Sequence, residues 1–234
     1  MFDKYNINDL NKLTDEQKEK LKSNYPIQYL LGSVNFYGYD FKVDERVLIP
    51  RYETEYLVDD TIKLIKEHIK EPKIIDLCTG SGCIAISLAK ELNTSVDALD
   101  ISLDAINLAK ENAVNNNVVI NYINEDIKSF NTNKKYNVII SNPPYVRLDE
   151  EVGLETKYEP QIALFASDNG LEFYKIILDK SKDLLEDKNI IAFEIGDKQG
   201  DSIKEYALNI YPNANIIIKK DLNNLERYVY IINE

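Results

Sequence analysis

The chain has 234 residues, enough to bury a sizeable core and a length between one large and two modest domains. Its 40 acidic residues against 28 basic ones give a formal charge of -12, which excludes a generally basic nucleic-acid face, though not a local basic patch. Cys78 and Cys83 alone support neither a disulfide scaffold nor a zinc site; with no secretory segment and no apolar run near about 18 residues, a cytoplasmic protein without membrane span or metal is expected.

Residues 1–25 are polar and hold one short helical pattern, 14–22, with Thr14 placed to cap it and Gln17 three positions on as a capping box requires. From 32 to 49 the period changes to two, with Phe36, Tyr39, Phe41, Val43, Val47 and Leu48 apolar and turn residues at Gly38 and Asp44-Glu45; this predicts a β-hairpin flap that Pro50 ends. Apolar residues at Tyr56, Leu57, Ile62, Ile65 and Ile69 predict a helix over 53–69. Strand and helix patterns then alternate, as in a parallel sheet with crossovers. Strands are predicted at 73–77, 95–99, 118–123 and 136–140, and helices at 82–92 and 103–115. Residues 146–168 read as loop, 171–185 as a helix, 189–195 as a strand and 201–210 as a helix. Two β-rich segments, 216–218 and 228–232, close the chain as an antiparallel pair.

The tetrapeptide Asn142-Pro143-Pro144-Tyr145 comes directly after a predicted central strand. Two prolines there stop the strand and stiffen the residues beyond it, because proline fixes its own φ and pushes the preceding residue toward extended geometry. A side-chain amide, a proline carbonyl free of any ladder and an aromatic plane then suit a planar nitrogen bearing hydrogens. The plain alternative is a polar strand end with a rigid turn.

A second feature is the loop Asp76-Leu77-Cys78-Thr79-Gly80-Ser81-Gly82 between a strand and its helix. Gly80 and Gly82 permit a tight turn and close approach of a ligand. The loop lacks the spacing of a dinucleotide fingerprint, and Asp76 at the strand end would repel a pyrophosphate but attract an ammonium or sulfonium. Asp100 ends the next strand, where a carboxylate can take two ribose hydroxyls, and Asp126 after the third strand can accept from an exocyclic amine. A ligand with a ribose, an adenine-like amine and a cationic amino-acid part is implied, which describes S-adenosylmethionine.

These residues, with 26–32 (Pro-Ile-Gln-Tyr-Leu-Leu-Gly), 43–51, Glu53-Thr54-Glu55, Glu159-Pro160, Ala163-Leu164, Glu194-Ile195-Gly196 and Gln199-Gly200, closely resemble the class I S-adenosylmethionine-dependent methyltransferases, and within them the protein-(glutamine-N5) methyltransferases that act on peptide chain release factors (the HemK/PrmC family). The resemblance runs from Pro26 to the C-terminus. The Asn-Pro-Pro-Tyr motif alone is shared with adenine-N6 methyltransferases; residues 49–55 and the late Glu-Ile-Gly with Gln199-Gly200 are more specific to the glutamine group. Elements and resemblance together imply an α/β fold: a three-layer sandwich around a mostly parallel, doubly wound seven-stranded sheet with an antiparallel last strand, preceded by the hairpin and a shortened N-terminal helical segment. The expected divisions are 1–25, 26–52 and a catalytic domain over 53–234.

The resemblance implies methyl transfer from S-adenosylmethionine, leaving S-adenosylhomocysteine, to the side-chain amide of the glutamine in a release factor's Gly-Gly-Gln loop. Asn142, Pro143 and Tyr145 are the expected catalytic residues. The Asn142 oxygen and the Pro143 carbonyl accept the two amide protons, while Tyr145 packs on the amide plane. Pro144, Arg51 and Glu53 join them in substrate binding, although Arg51 and Glu53 can equally pair with each other. The expected donor site is Asp76, Cys78, Thr79, Gly80, Gly82, Asp100, Ile101, Asp126, Ile127 and Asn142. A monomer that meets a release factor, and no nucleic acid or membrane, is expected. Alternatives are glutamine methylation of another protein such as a ribosomal protein, adenine-N6 methylation, and a non-catalytic scaffold; the intact motifs weigh against the last.

Three departures from the family pattern stand out. Only about 25 residues precede Pro26 where a helical domain is usual, Tyr52 replaces a proline, and Cys78 replaces the first loop glycine, where a conventional backbone angle is expected for cysteine. His68 and most of the sixteen tyrosines are expected to serve packing.

Overall fold

The computed structural model describes residues 10–234. Helix α1 (Asp15–Lys22) begins with the capping box read from the sequence: Thr14 Oγ1 accepts from the Gln17 amide, and Gln17 returns the bond to the Thr14 amide at 2.9 Å. A short helix α2 (Ile27–Leu31) comes next, which sequence pattern did not suggest because five residues carry too little periodicity. Leu13, Leu21 and Ile27 form a small core between these two helices.

Strands β1 (Ser33–Phe36) and β2 (Tyr39–Lys42) pair antiparallel around Tyr37-Gly38, both at positive φ, as a two-residue primed turn requires. The hairpin is shorter than the predicted segment, and it is anchored rather than loose. Phe36 and Phe41 are buried in the main core. The chain then runs irregularly to α3 (Tyr52–His68).

The central sheet has seven strands: β3 (Ile74–Leu77), β4 (Val96–Asp100), β5 (Ile120–Asn124), β6 (Tyr136–Ser141), β9 (Leu185–Glu194), β10 (Asn215–Lys220) and β11 (Glu226–Asn233). Their order is β10-β11-β9-β6-β3-β4-β5, parallel from β5 to β9, with β11 antiparallel to both of its neighbours. The order reverses between β6 and β4 on either side of β3, and such a switch point opens a crevice beyond the carboxyl ends of the strands.

Period-two alternation assigns the two faces. Ile74, Val96, Ala98, Val138 and Ile140 pack with α3 and with α4 (Cys83–Leu92), whereas Ile75, Leu77, Leu99 and Ile139 pack with α6 (Glu172–Leu184) and α7 (Gly200–Ile210). Helix α5 (Leu103–Asn115) completes the first face and holds the hairpin. The Asn112 side chain bonds both backbone groups of Lys42, at 2.7 and 3.1 Å, and Asn116 donates to the Asp40 carbonyl.

The segment taken as loop, 146–168, contains a two-residue parallel pair, β7 (Val146–Arg147) with β8 (Phe165–Ala166), and short 3-10 turns. Pairs this short are set by what surrounds them and leave no local pattern. Strand β9 starts at Leu185, four residues earlier than its apolar run, because Leu185 pairs with Tyr136 across a bulge. Among the described residues no helix is long and apolar enough to cross a membrane.

Candidate active site

A cavity of about 240 Å³ opens at the carboxyl ends of β3, β4 and β6, where the switch point places it. Its walls carry Cys78 and Gly80 from the first loop, Asp100 and Ile101 after β4, Asp126 and Ile127 after β5, and Asn142 and Pro144 after β6. Asp76, Thr79, Gly82, Pro143 and Tyr145, expected beside them, do not line it.

Asp76 lies fully buried beneath the loop, where Thr79 Oγ1 donates to its Oδ2 at 2.5 Å and the Ala85 amide, too far or bent for a full hydrogen bond, is near the carboxylate. Burial, with the Asp100 charge nearby, pushes its carboxyl up to about 7. The folded chain therefore holds a proton that the unfolded chain has already lost between about pH 4 and 7, and stability falls as pH rises through that window. Asp76→Asn is expected to flatten this dependence and to melt above the parent at pH 8 in donor-free protein. Thermal melts across pH check this, and equal slopes for the two proteins contradict it.

Gly82 caps α4 at φ 81, and a Cβ there would meet the Ala109 Cβ at 3.1 Å and the Tyr122 hydroxyl at 3.2 Å. Its lack of a side chain permits close packing of α4 on α5. Gly80 differs: at φ 53 it has nothing within 4 Å of a Cβ, so a side chain there would project into open space. Cys78 corrects a third expectation. Its φ is 63, in the left-handed region that the glycine usual at this point adopts freely and a side chain adopts only with strain. Burial also pushes its thiol well up, so it lines the cavity as a neutral group.

Asp100 ties two loops together. One oxygen accepts from the Gly80 amide at 2.8 Å, the other from the Ser102 amide at 2.9 Å. Burial raises its carboxyl, and the remaining lone pairs are available to hydroxyl donors in the cavity. Asp126 accepts from the Lys128 amide at 2.9 Å and sits on the wall with Phe173 of α6, an aromatic lining that sequence reading missed. The Asp100 and Asp126 carboxylates on the wall and the open space at Gly80 fit a ligand with a ribose and an exocyclic amine.

At the other end of the cavity Asn142 is half-buried, and its Nδ2 donates to Thr54 Oγ1 at 3.2 Å. Thr54 in turn donates to Glu194 Oε2 at 2.6 Å, and the Tyr145 hydroxyl reaches Glu194 Oε1 at 3.4 Å. Thr54 and Glu194 are each 2% exposed. No donor among the described residues takes Asn142 Oδ1 or the Pro143 carbonyl. The Tyr145 arm is clamped from outside: Gln199 Nε2 donates to the Tyr145 carbonyl at 3.1 Å while its Oε1 accepts from the Gly196 amide at 2.8 Å. Gly170 makes room for that carbonyl. Thr54, Glu194, Gly170 and Gln199 were not singled out for the site from the sequence. The signals were the Glu-Thr-Glu, Glu-Ile-Gly and Gln199-Gly200 motifs, and the first two bring together Thr54 and Glu194, 140 residues apart.

Arg51 pairs with neither Glu53 nor the cavity. Its Nη2 meets Glu159 Oε1 at 2.5 Å, and Glu159 Oε2 accepts from the Ile49 amide at 3.1 Å. Glu159 is 3% exposed and Arg51 is half-buried, and the pair tethers the 146–168 segment to residues 46–51. Arg46, Val47 and Leu48 line the cavity, as do Pro160, Ile162 and Ala163 from across the tether. The residues after the hairpin, not its strands, form the cavity rim. Glu53 contributes its carbonyl to the Tyr228 hydroxyl at 2.8 Å, and its charge bears on Glu194.

The family model described as "Methyltransferase small domain" matches residues 54–157, the stretch that carries the glycine loop, the three strand-end acids and the Asn-Pro-Pro-Tyr arm. A release factor glutamine methyltransferase from Streptococcus pneumoniae is 41% identical over 230 residues, covering 93% of this chain and 81% of its own. One from Lactococcus lactis is 40% identical over 225 residues, with 94% and 82% covered. The crystal structure of a release factor-specific protein-(glutamine-N5) methyltransferase from Alicyclobacillus acidocaldarius superposes with a TM-score of 0.51 at 26% identity, covering 83% of this chain and 99% of that one. Identity of this order, sustained over more than nine-tenths of the sequence, means that the chain belongs to the release factor glutamine methyltransferase family.

Proposed function

We propose that the chain transfers the methyl group of S-adenosylmethionine to the side-chain amide nitrogen of the glutamine in the Gly-Gly-Gln loop of a peptide chain release factor. The observation that carries this reading is the unclaimed Asn142 Oδ1 on the cavity wall, followed in the chain by a Pro143 carbonyl that no described donor takes. Two acceptors suit the two hydrogens of a carboxamide nitrogen. A carboxamide is a poor nucleophile because its lone pair is delocalised, and acceptors on both hydrogens favour the charge that builds on nitrogen as the new bond forms.

When bound, the donor supplies a methyl carbon activated by its sulfonium and leaves as S-adenosylhomocysteine. The chain's own residues do the alignment. Asp100 and Asp126 hold the donor's ribose and amine, Gly80 gives it room, and the Tyr145 arm confines the glutamine side chain so that prepaid orientation lowers the barrier. Glu194 stands behind Thr54 and does not line the cavity, so it is not placed to take a proton from the substrate. The methylated nitrogen, cationic once the carbon–sulfur bond has broken, loses its extra proton to solvent. Asp100→Ala is expected to weaken S-adenosylmethionine binding by at least about tenfold, as lost hydrogen bonds to a charged group do. Calorimetry measures this, and unchanged affinity removes the ribose assignment.

The folded partner is recognised over a wider surface. Asp149, Glu150, Glu151 and Glu155 line the exposed outer segment, with Leu148 at 72% and Leu154 at 63% exposure among them. Such a rim suits a release factor with basic residues around its loop, met by a monomer in the cytoplasm, at a rate that falls as salt rises. The test is labelled-methyl incorporation. A folded release factor should be labelled far better than a short Gly-Gly-Gln peptide, labelling should survive nuclease, and it should vanish when the loop Gln becomes Ala. Label in nucleic acid with no protein product would overturn the reading.

A further inference from the structure

We propose that Thr54 and Glu194 are positioning residues that set which end of the Asn142 amide faces the substrate. The inference rests on the proposed amide methylation and adds a requirement to it. Asn142 is useful as an acceptor only if its oxygen, not its NH2, points into the cavity, and nothing in the tetrapeptide itself decides between the two.

The hydroxyl of Thr54 decides it. A hydroxyl has one proton, and that of Thr54 goes to Glu194 Oε2 at 2.6 Å. Toward Asn142, 3.2 Å away, the Thr54 oxygen can therefore only accept. Asn142 must turn Nδ2 to Thr54, which leaves Oδ1 for the substrate. The direction of the whole chain is fixed at its far end by the carboxylate, which can only accept. With Thr54 and Glu194 both 2% exposed, water does not compete for these bonds.

Two long-range placements build the relay. Thr54 stands in the first turn of α3, and Glu194 is the last residue of β9, which lies next to β6 and so next to Asn142. Neither residue touches the cavity. Their effect on the substrate passes through Asn142.

The relay is sensitive to the charge on Glu194. Burial raises its carboxyl to about 6, against the Thr54 hydrogen bond and the Arg227 charge, which lower it. The groups facing it are Glu53 of α3, Cys83 of α4, Tyr145 after β6, Tyr174 of α6, and Arg227, Tyr228 and Tyr230 of β11. Of these, only Arg227 is cationic, and it also pairs with Asp221 at 3.2 Å. Once protonated, Glu194 can donate to Thr54, Thr54 can then donate to Asn142, and the amide is free to turn its NH2 to the substrate.

Single-turnover rates with saturating donor and release factor test this across pH 5 to 8. Thr54→Val, which keeps the branched shape and loses the hydroxyl, should slow methyl transfer by about 10- to 100-fold, as a misplaced catalytic group does, with donor affinity unchanged. Thr54→Ser should recover most of the rate. The parent should lose rate on the acid side near pH 6, and Glu194→Gln should lack that limb because its side chain does not titrate. The inference is overturned if Thr54→Val matches the parent, if Ser rescues no better than Val, or if Glu194→Gln keeps the acid limb. In each of those cases the parent still methylates glutamine and the proposed function stands. If the parent makes no methylglutamine at all, it is the function that fails.

Discussion

Asn142→Ala is expected to lower kcat by about 10²- to 10³-fold, the usual cost of removing one polar contact to developing charge, while S-adenosylmethionine affinity stays nearly constant. The split arises from position. Asn142 stands on the cavity wall with its Nδ2 taken by Thr54 and its Oδ1 unclaimed, whereas Asp100, bonded to the Gly80 amide, is the residue proposed to hold the donor. The substitution also leaves the Thr54 hydroxyl bonded to Glu194, so the buried network loses one long bond rather than its charged one. Stability should therefore change little. Single-turnover kinetics at saturating donor separate the terms, and a full rate in this variant would falsify the role assigned to the amide.

Gly170→Ala should be the most damaging single-methyl change in the chain. At φ 82, a Cβ on residue 170 would lie 2.2 Å from the Tyr145 carbonyl oxygen and 2.5 Å from Gln199 Nε2. Neither neighbour is a loose side-chain end: the carbonyl is backbone, and Gln199 is held by the Gly196 amide. Positive φ costs alanine about 1–2 kcal/mol and overpacking a further 1–3 kcal/mol. The melting temperature should fall by roughly 5–15 °C for a chain of this size. Because the displaced carbonyl belongs to Tyr145, the variant should also lose methyl transfer at temperatures where it is still folded. Gly38→Ala is the control. Its φ is 80 but nothing lies within 4 Å, so it should show the backbone penalty alone and keep its activity. Equal melting temperatures for the two variants would show that the Tyr145 clamp is not tight.

What the sequence made legible is local chemistry. The capping box of α1 was readable because both partners lie within three residues. The seven strands and their helices were readable because each buries one face or two and so imposes its own period. The strand-end acids and the proline-stiffened tetrapeptide stood out because few other roles explain those residues at those points. What escaped is what the topology assembles. The Thr54–Glu194 contact spans 140 residues and exists only because β9 lies beside β6. Arg51 was expected to bind substrate or to pair with its neighbour Glu53, yet its partner is Glu159, brought across the cavity by a loop with no repeating pattern. Cys78 and Gly82 illustrate the same limit within a motif. Sequence located the turn, but only the backbone angles and the packing of α4 on α5 say which residue bears strain and which glycine faces open space.

The destination of the methyl group is the central claim, and tandem mass spectrometry of a release factor after reaction reads it directly. The prediction is a single added methyl on the side-chain nitrogen of the glutamine in the Gly-Gly-Gln loop, present with the parent enzyme and greatly reduced with Asn142→Ala. A methyl on a different residue of the factor, or one placed equally well by the Asn142 variant, would contradict it.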